Sequence, residues 1–268
     1  MNLEGKRVLI TGGSSGIGKA LAHSLLIKGA KVVISGRRHD ILAKTTQELQ
    51  RLSTCIWSVA ADVATTAGRR ATVKQTISAL AGLDILVNNA GGVRAGRLEK
   101  TSEAELRAMI EVDLIAPILL TRAVLPVLRE SGEGMIVNIA SVAALVGMPF
   151  YATYGGAKAG LSRFGEALRR ELKGEGVHVL NVFPAGTDTP MMKSNRAGPE
   201  LGFSLEPPEA VAMAIVHAME ADDLEVVRGD EARRQMVALN QSNPAAIDER
   251  MVDLKPALEA AVQDHSAL

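Results

Sequence analysis

Residues 7–18 read RVLITGGSSGIG, and this stretch decides the fold. Arg7 to Ile10 is a short apolar run with β-branched residues. It passes directly into Thr11-Gly12-Gly13-Ser14-Ser15-Gly16-Ile17-Gly18. Helical periodicity then begins: Ile17, Leu21 and Leu25 fall four apart, and Gly29 closes the segment. Strand, glycine-rich turn and helix form the context in which such a turn binds phosphate. Glycines let the backbone come close, and the helix N-terminus offers unpaired N–H groups and a partial positive charge. Gly12, Ser14, Ser15, Gly16, Ile17 and Gly18 are therefore expected to cradle a dinucleotide. The spacing is G-x-x-x-G-x-G, not the G-x-G-x-x-G of the general fingerprint.

Outward from this turn, strands and helices alternate. Residues 31–35 (KVVIS) form a second strand that ends at Gly36-Arg37-Arg38. In dinucleotide sites an acid here accepts from the ribose 2′-OH of NAD, whereas an arginine accommodates the 2′-phosphate of NADP. The chain has no acid there and two arginines, so NADP(H) is expected, with NAD(H) as the alternative. A helix over 40–52 leads to a strand over 56–61 that ends in Asp62-Val63. Asp62 stands where it would meet the adenine edge or cap the next helix. A helix over 66–80 precedes a strand over 83–87, which runs into Asn88-Asn89-Ala90-Gly91-Gly92. Ser102-Glu103-Ala104-Glu105 is a capping box. It opens a long helix with Leu106, Ile110 and Leu114 on one face. Strands follow at 134–139, 177–183 and 224–227, with a helix over 207–220 that begins on proline, where proline is tolerated. No hairpin signal interrupts the series. That pattern predicts an α/β, Rossmann-type doubly wound parallel sheet of roughly seven strands with helices on both faces. It is expected to be a single domain over 1–268, with a C-terminal extension from about residue 230.

Composition agrees and excludes other classes. With 268 residues, the chain is long enough for one large α/β domain with a well-buried core. Hydrophobic residues make up 47% and charged residues 22%, which is neither disordered nor fibrous. Lys plus Arg and Asp plus Glu balance at 30 each, so no net charge draws the chain to nucleic acid or an anionic membrane. The single cysteine, Cys55, cannot form an intrachain disulfide, which fits a reducing, cytoplasmic compartment. It reads as a small buried hydrophobe near a strand. The apolar run at the N-terminus is too short for a signal peptide. No stretch reaches the ~18 uninterrupted apolar residues of a membrane span. The richest stretch, 109–128, is broken by Glu111, Asp113, Thr121, Arg122 and two prolines, and reads as a buried helix.

Every candidate chemical group lies at a strand's C-terminal end, the rim where ligands bind in open α/β sheets. The strand over 134–139 delivers Ser141 to that rim. Tyr154 and Lys158 follow in the stretch ASVAALVGMPFYATYGGAK, four residues apart. Positions four apart on a helix share a face, so the phenol and the ammonium point the same way. A nearby cation lowers a tyrosine pKa that starts at about 10. That makes a tyrosine a usable proton donor and acceptor near neutral pH. Leu161, Phe164, Leu168 and Leu172 continue the same helix.

Taken in order, these motifs resemble the short-chain dehydrogenase/reductase family over about residues 4–230, in its NADP-preferring type. Thr11-Gly12-x-x-x-Gly16-x-Gly18 resembles the family's cofactor loop, and Asn88-Asn89-Ala90-Gly91 its fourth-strand signature. Ser141, Tyr154 and Lys158 match its catalytic serine, tyrosine and lysine. Pro184 to Met191 resembles the P-G-x-x-x-T-P-M stretch that touches the nicotinamide. The resemblance implies hydride transfer between a nicotinamide and the carbonyl or secondary alcohol of a small substrate. It adds Asp62, Val63, Asn89, Ala90, Gly91, Pro184, Gly186, Thr187 and Thr189 to the cofactor contacts, beside Tyr154 and Lys158, and implies no metal. Rival expectations are the same machinery run with NAD as an alcohol or hydroxysteroid dehydrogenase, and a non-catalytic NADP(H)-binding regulatory protein. A homodimer or homotetramer is implied by resemblance alone.

Two positions depart from the family pattern. Asp113 replaces an asparagine thought to hold a water between the lysine and solvent. An aspartate accepts only; it would hold the water and keep Lys158 protonated, or be a drifted structural position. Ala185 replaces a glycine, and its methyl restricts the backbone. Residues 187–204, rich in Gly, Ser and Pro, are expected to form a mobile substrate lid. Met251, Leu254, Leu258 and Val262 have helical spacing, so a terminal amphipathic helix is expected. It would cover the site, pack on another subunit or finish the core.

Overall fold

The computed structural model describes all 268 residues. Seven parallel strands form one sheet in the order β3-β2-β1-β4-β5-β6-β7. They are β1 (Arg7–Thr11), β2 (Lys31–Gly36), β3 (Ile56–Ala60), β4 (Ile85–Asn88), β5 (Gly134–Ile139), β6 (Val177–Phe183) and β7 (Glu225–Val227). The central strands are apolar on both faces because both faces are covered. Val8, Ile10, Val32, Ile34, Ile85 and Val87 share one core. On that side the sheet is covered by α1 (Gly16–Ile27), α2 (His39–Gln50) and the later helix over 208–221. Leu9, Val33, Leu86 and Ile136 alternate to the opposite core. There they meet α3 (Thr66–Leu80), α5 (Ala116–Glu130) and α6 (Ala152–Glu171), the helix that carries Tyr154 and Lys158, while α4 (Glu103–Ile110) packs on α6. The helix over 208–221 is α7, followed by α8 (Glu231–Ser242) and α9 (Pro244–Val262). No helix is long and apolar enough to cross a membrane.

Three local differences from the sequence reading have physical causes. The fourth strand begins at Ile85 rather than Leu83. The Arg7 N–H that would extend the ladder donates instead to the Asp84 carboxylate, at 2.7 Å. The long helix opened by Ser102 is not uniform: residues 111–115 form one π turn between α4 and α5. Such turns rotate a side chain out of α register and are frequent at functional sites; this one carries Asp113. Thr65, not Asp62, caps α3, accepting from Gly68 N–H at 3.0 Å. Asp62 accepts from Ala64 N–H instead, at 3.0 Å.

The Arg7–Asp84 fork ties the start of β1 to β4. Nε donates to Oδ2 at 2.9 Å and Nη2 to Oδ1 at 2.6 Å. Burial raises the Asp84 pKa, but the Arg7 hydrogen bonds prevail and hold it below the usual carboxylate value. A depressed folded pKa means stability that is present above the unfolded pKa and lost as pH falls through the folded one. Asp84→Ala is therefore expected to cost about 2–3 kcal/mol at neutral pH, discounted for partial exposure. Urea unfolding at two pH values checks it: the gap from wild type should narrow in acid.

Candidate active site

The rim is assembled where β1 and β4 lie side by side, the point at which strand order reverses. Gly12 (φ +66) and Gly16 (φ +52) adopt left-handed backbone that favours glycine. A Cβ on Gly12 would stand 2.8 Å from Ala90 Cα, so the loop lies flat against the end of β4. Thr11 Oγ1 accepts from the N–H groups of Asn89 and Ala90, both at 3.0 Å. Asn89 Nδ2 donates to Thr11 O at 2.8 Å and Gly12 O at 3.1 Å. A Cβ on Gly18 would collide with this same Asn89 amide. Ser15 begins α1 without capping it, which leaves its first-turn donors for an anion.

These groups open on a cavity of about 890 Å³. Gly12, Ser14, Ser15, Gly16 and Ile17 line it, as do Arg37, Arg38, Asp62, Val63, Asn89, Ala90 and Gly91. Ser141, Tyr154, Lys158, Pro184, Gly186, Thr187 and Thr189 complete the expected set along its wall. Gly18 and Asp113 do not reach the cavity; they stand behind it. Gly18 is there for packing. Arg37 and Arg38 are exposed at the cavity's edge. A Cβ on Gly36 would lie 3.2 Å from Ser14 Oγ, so that hydroxyl sits beside the arginines. A glycine-rich cradle and free helix N–H groups fit the phosphates of a dinucleotide. Ala185 has an ordinary negative-φ backbone, so its methyl is accommodated without strain.

Ser141 leaves β5 in extended backbone, and its Oγ accepts from Ala143 N–H at 3.2 Å. Lys158 Nζ lies 5.8 Å from the centre of the Tyr154 ring. It donates to Ile139 O at 3.0 Å and pairs with Asp113 Oδ1, also at 3.0 Å. Asp113 is fully buried and also accepts from Gly92 N–H at 3.3 Å. The aspartate thus reaches the lysine directly. Burial opposes the Lys158 charge, but Asp113 and Tyr154 together outweigh it and the lysine pKa is raised. Burial likewise raises the Asp113 pKa, with Lys158 pulling it down. For Tyr154 the direction differs from the one expected from the lysine alone. Burial raises its pKa; Lys158 pulls it down, Asp113 pushes it up and Ser141 pulls it down, and burial prevails.

The far end of the cavity is mainly apolar, with Arg233 and His265 set into it, and comes largely from segments outside the sequence motifs. Tyr151 and Tyr154 stand edge to face at 6.3 Å, and Phe203 lies 6.0 Å from Tyr151. Residues 230–268 fold back over this end. Leu258 and Val262 of α9 pack with Val93, Ala95 and Tyr151. The last residues form an antiparallel bridge, with Ala95 N–H donating to His265 O at 3.0 Å and Ala267 N–H to Val93 O at 2.8 Å. Burial, with help from Arg94, lowers the His265 pKa to about 4. Its Nδ1 lies 3.0 Å from Ser194 Oγ. The expected lid contains two short 3-10 turns, 190–194 and 199–201. It is tied down by that contact, by Asn195 donating to Tyr151 Oη at 3.1 Å and by Arg196 N–H donating to Ala261 O at 3.1 Å. The terminal helix finishes the core through Ile247, Met251, Leu258 and Val262, and the tail beyond it, His265, Ala267 and Leu268, lines the cavity. Tyr151, His265 and Arg233 line the cavity unanticipated. Only Tyr151, three residues before Tyr154, carried any local hint.

A parallel sheet with a bare glycine turn at its switch point, and a serine, tyrosine and lysine on the same rim, defines a nicotinamide-dependent oxidoreductase. The short chain dehydrogenase family profile matches residues 6–200. The ketoacyl reductase HetN of Nostoc sp. is 33% identical over 252 residues, covering 92% of this chain and 88% of HetN. The 3-oxoacyl-(acyl-carrier-protein) reductase FabG of Vibrio cholerae is 35% identical over 194 residues, covering 72% and 78%. A short-chain dehydrogenase from Streptomyces avermitilis superposes with a TM-score of 0.79 at 28% identity, covering 95% of this chain and 99% of that one. The chain belongs to the short-chain dehydrogenase/reductase family, whose members act on CH–OH and C=O groups with a nicotinamide cofactor.

Proposed function

We propose that the protein is an NADP(H)-dependent reductase of a carbonyl compound, reversible toward the secondary alcohol. The observation that carries it is the shared cavity: Ser141, Tyr154 and Lys158 on one wall, Arg37 and Arg38 at its edge. When bound, the nicotinamide supplies or takes up the hydride; the chain's own groups position the reactants and manage the proton. Tyr154 Oη gives a proton to the carbonyl oxygen in reduction and removes it from the alcohol in oxidation. Ser141 Oγ hydrogen-bonds the same oxygen. The Lys158 charge lowers the cost of the phenolate, and Lys158 also takes the nicotinamide ribose hydroxyls. Gly12, Ser14, Ser15, Gly16 and Ile17 would hold the pyrophosphate at the N-terminus of α1. Asp62 and Val63 would hold the adenine, and Asn89, Ala90 and Gly91 the ribose. Pro184, Gly186, Thr187 and Thr189 would hold the nicotinamide. The names of HetN and FabG make 3-oxoacyl compounds the first substrates to try.

Arg37 and Arg38 carry the choice of cofactor. A guanidinium meets a phosphate through a planar fork, whereas an aspartate repels it and accepts from a ribose hydroxyl. Arg37→Asp is expected to shift the NADPH-over-NADH preference in kcat/KM by about tenfold or more toward NADH. Comparing both cofactors at equal concentration checks it. An unmoved ratio would remove the 2′-phosphate argument.

A further inference from the structure

The far end of the cavity holds one cation whose charge the protein does not match. Arg233, in the first turn of α8, lines the same cavity as Tyr154, Met148 and Phe203. The neighbouring arginines are paired: Arg228 with Glu206 at 2.7 Å and Arg234 with Glu231 at 2.9 Å. Among the other basic groups on this wall, Arg107 pairs with Glu103 and Lys158 with Asp113. Arg233 forms no ion pair. It donates to the Gly202 carbonyl and touches two thioethers, Met148 Sδ at 3.9 Å and Met236 Sδ at 3.6 Å. The nearest carboxylate, Asp230, is engaged elsewhere: Oδ1 accepts from the Arg233 backbone N–H at 2.9 Å and Oδ2 from Ser204 Oγ at 3.3 Å.

The backbone is shaped to hold the side chain there. Gly229 (φ +128) is the residue against which it lies, and a Cβ on Gly229 would stand 3.0 Å from Arg233 Cβ and Cγ. Gly202 (φ +82) turns its carbonyl to the guanidinium. A half-buried guanidinium held by one carbonyl and two thioethers has given up water without gaining a paired carboxylate, which is costly. An incoming anion relieves that cost, and the planar fork suits a carboxylate or phosphate held by two hydrogen bonds. Burial accordingly pushes its pKa down, with Asp230 opposing.

The geometry points to Arg233 as the binding group for an anionic end of the substrate. The substrate is then an elongated carbonyl compound, apolar in the middle and ending in a carboxylate or phosphate. Its reacting carbon lies at Tyr154, its chain passes the Tyr151 and Phe203 rings, and its charged end reaches Arg233. This deepens the reductase reading and rests on it for the location of the reacting carbon.

The test reads binding rather than turnover. The NADP⁺-loaded protein is titrated calorimetrically with octanoate, octyl phosphate and neutral octanamide. The wild type should bind at least one of the two anions about tenfold or more tightly than the amide, and the tighter anion names the group. Arg233→Met should remove that preference, and Arg233→Lys, a point charge without the fork, should keep part of it. Arg234→Met, the same charge change on an exposed neighbour, should leave it intact. Equal binding of all three ligands by the wild type overturns the proposal. So does a preference that survives Arg233→Met, or one that Arg234→Met lowers equally. An Arg233-dependent preference in a protein that turns over no carbonyl would sink the reductase reading and keep this one.

Discussion

Tyr154→Phe is expected to abolish turnover while NADPH binding stays nearly intact. The ring keeps its place: it stands edge to face with Tyr151 at 6.3 Å and under the Lys158 ammonium at 5.8 Å. Only the hydroxyl is lost, and with it the one group on this wall suited to exchange a proton with the substrate oxygen. With the phenol gone, Ser141 has no base beside it, and its Oγ is engaged with Ala143 N–H. Lys158 is held between Ile139 O and Asp113. General acid–base catalysis contributes about 10²–10⁴-fold, and the full loss should appear in kcat rather than in the KM for NADPH. Stopped-flow reduction with a carbonyl panel, together with NADPH fluorescence titration, measures both. A variant retaining a substantial fraction of wild-type kcat would remove Tyr154 from its role.

Much of this site was legible in the sequence because it depends on backbone. Glycines at 12 and 16 need left-handed φ, and residues 7–10 need a strand; both leave marks in residue type. The helical period puts Tyr154 and Lys158 on one face, but only the ordered set of motifs around them marks them as a site. Gly18 shows the limit of a motif: it belongs to the pattern but serves packing against Asn89 rather than the cavity. The far end left no such mark. Arg233 and His265 reach the cavity through tertiary folding of α8, α9 and the last residues over Val93 and Tyr151. No period or spacing links position 265 to position 194. The buried Asn88–Asn138–Asn181 ladder was equally hidden. It joins β4, β5 and β6 side chain to side chain at 2.9 and 3.2 Å, in a register only the sheet reveals. The tyrosine pKa direction failed for a related reason: a helix face reveals the cation but not the burial or the second charge behind it.

That second charge carries the last large effect. Asp113 and Lys158 form a buried pair at 3.0 Å, with side chains 0% and 5% exposed. Asp113→Leu removes one partner and leaves an ammonium without a counter-ion, at an expected cost of about 3–5 kcal/mol. The raised Lys158 pKa sets the sign. Its contribution is fully present below the unfolded lysine value and is lost only as pH rises through the folded one. The deficit should therefore hold from the pH at which Asp113 ionises, itself raised by burial, up through the lysine range. Asp113→Asn keeps the shape and an acceptor for Nζ, so it should cost much less while still removing the charge. Because Asp113 raises the Tyr154 pKa, the asparagine variant should ionise its tyrosine at lower pH. In the oxidative direction, where the phenolate is the active form, the rising limb of the rate profile moves toward acid. In reduction, where the phenol is the donor, activity is lost from a lower pH upward. Both limbs must move the same way. If neither moves while Asp113→Leu still unfolds early, the carboxylate serves the fold alone and does not tune the tyrosine.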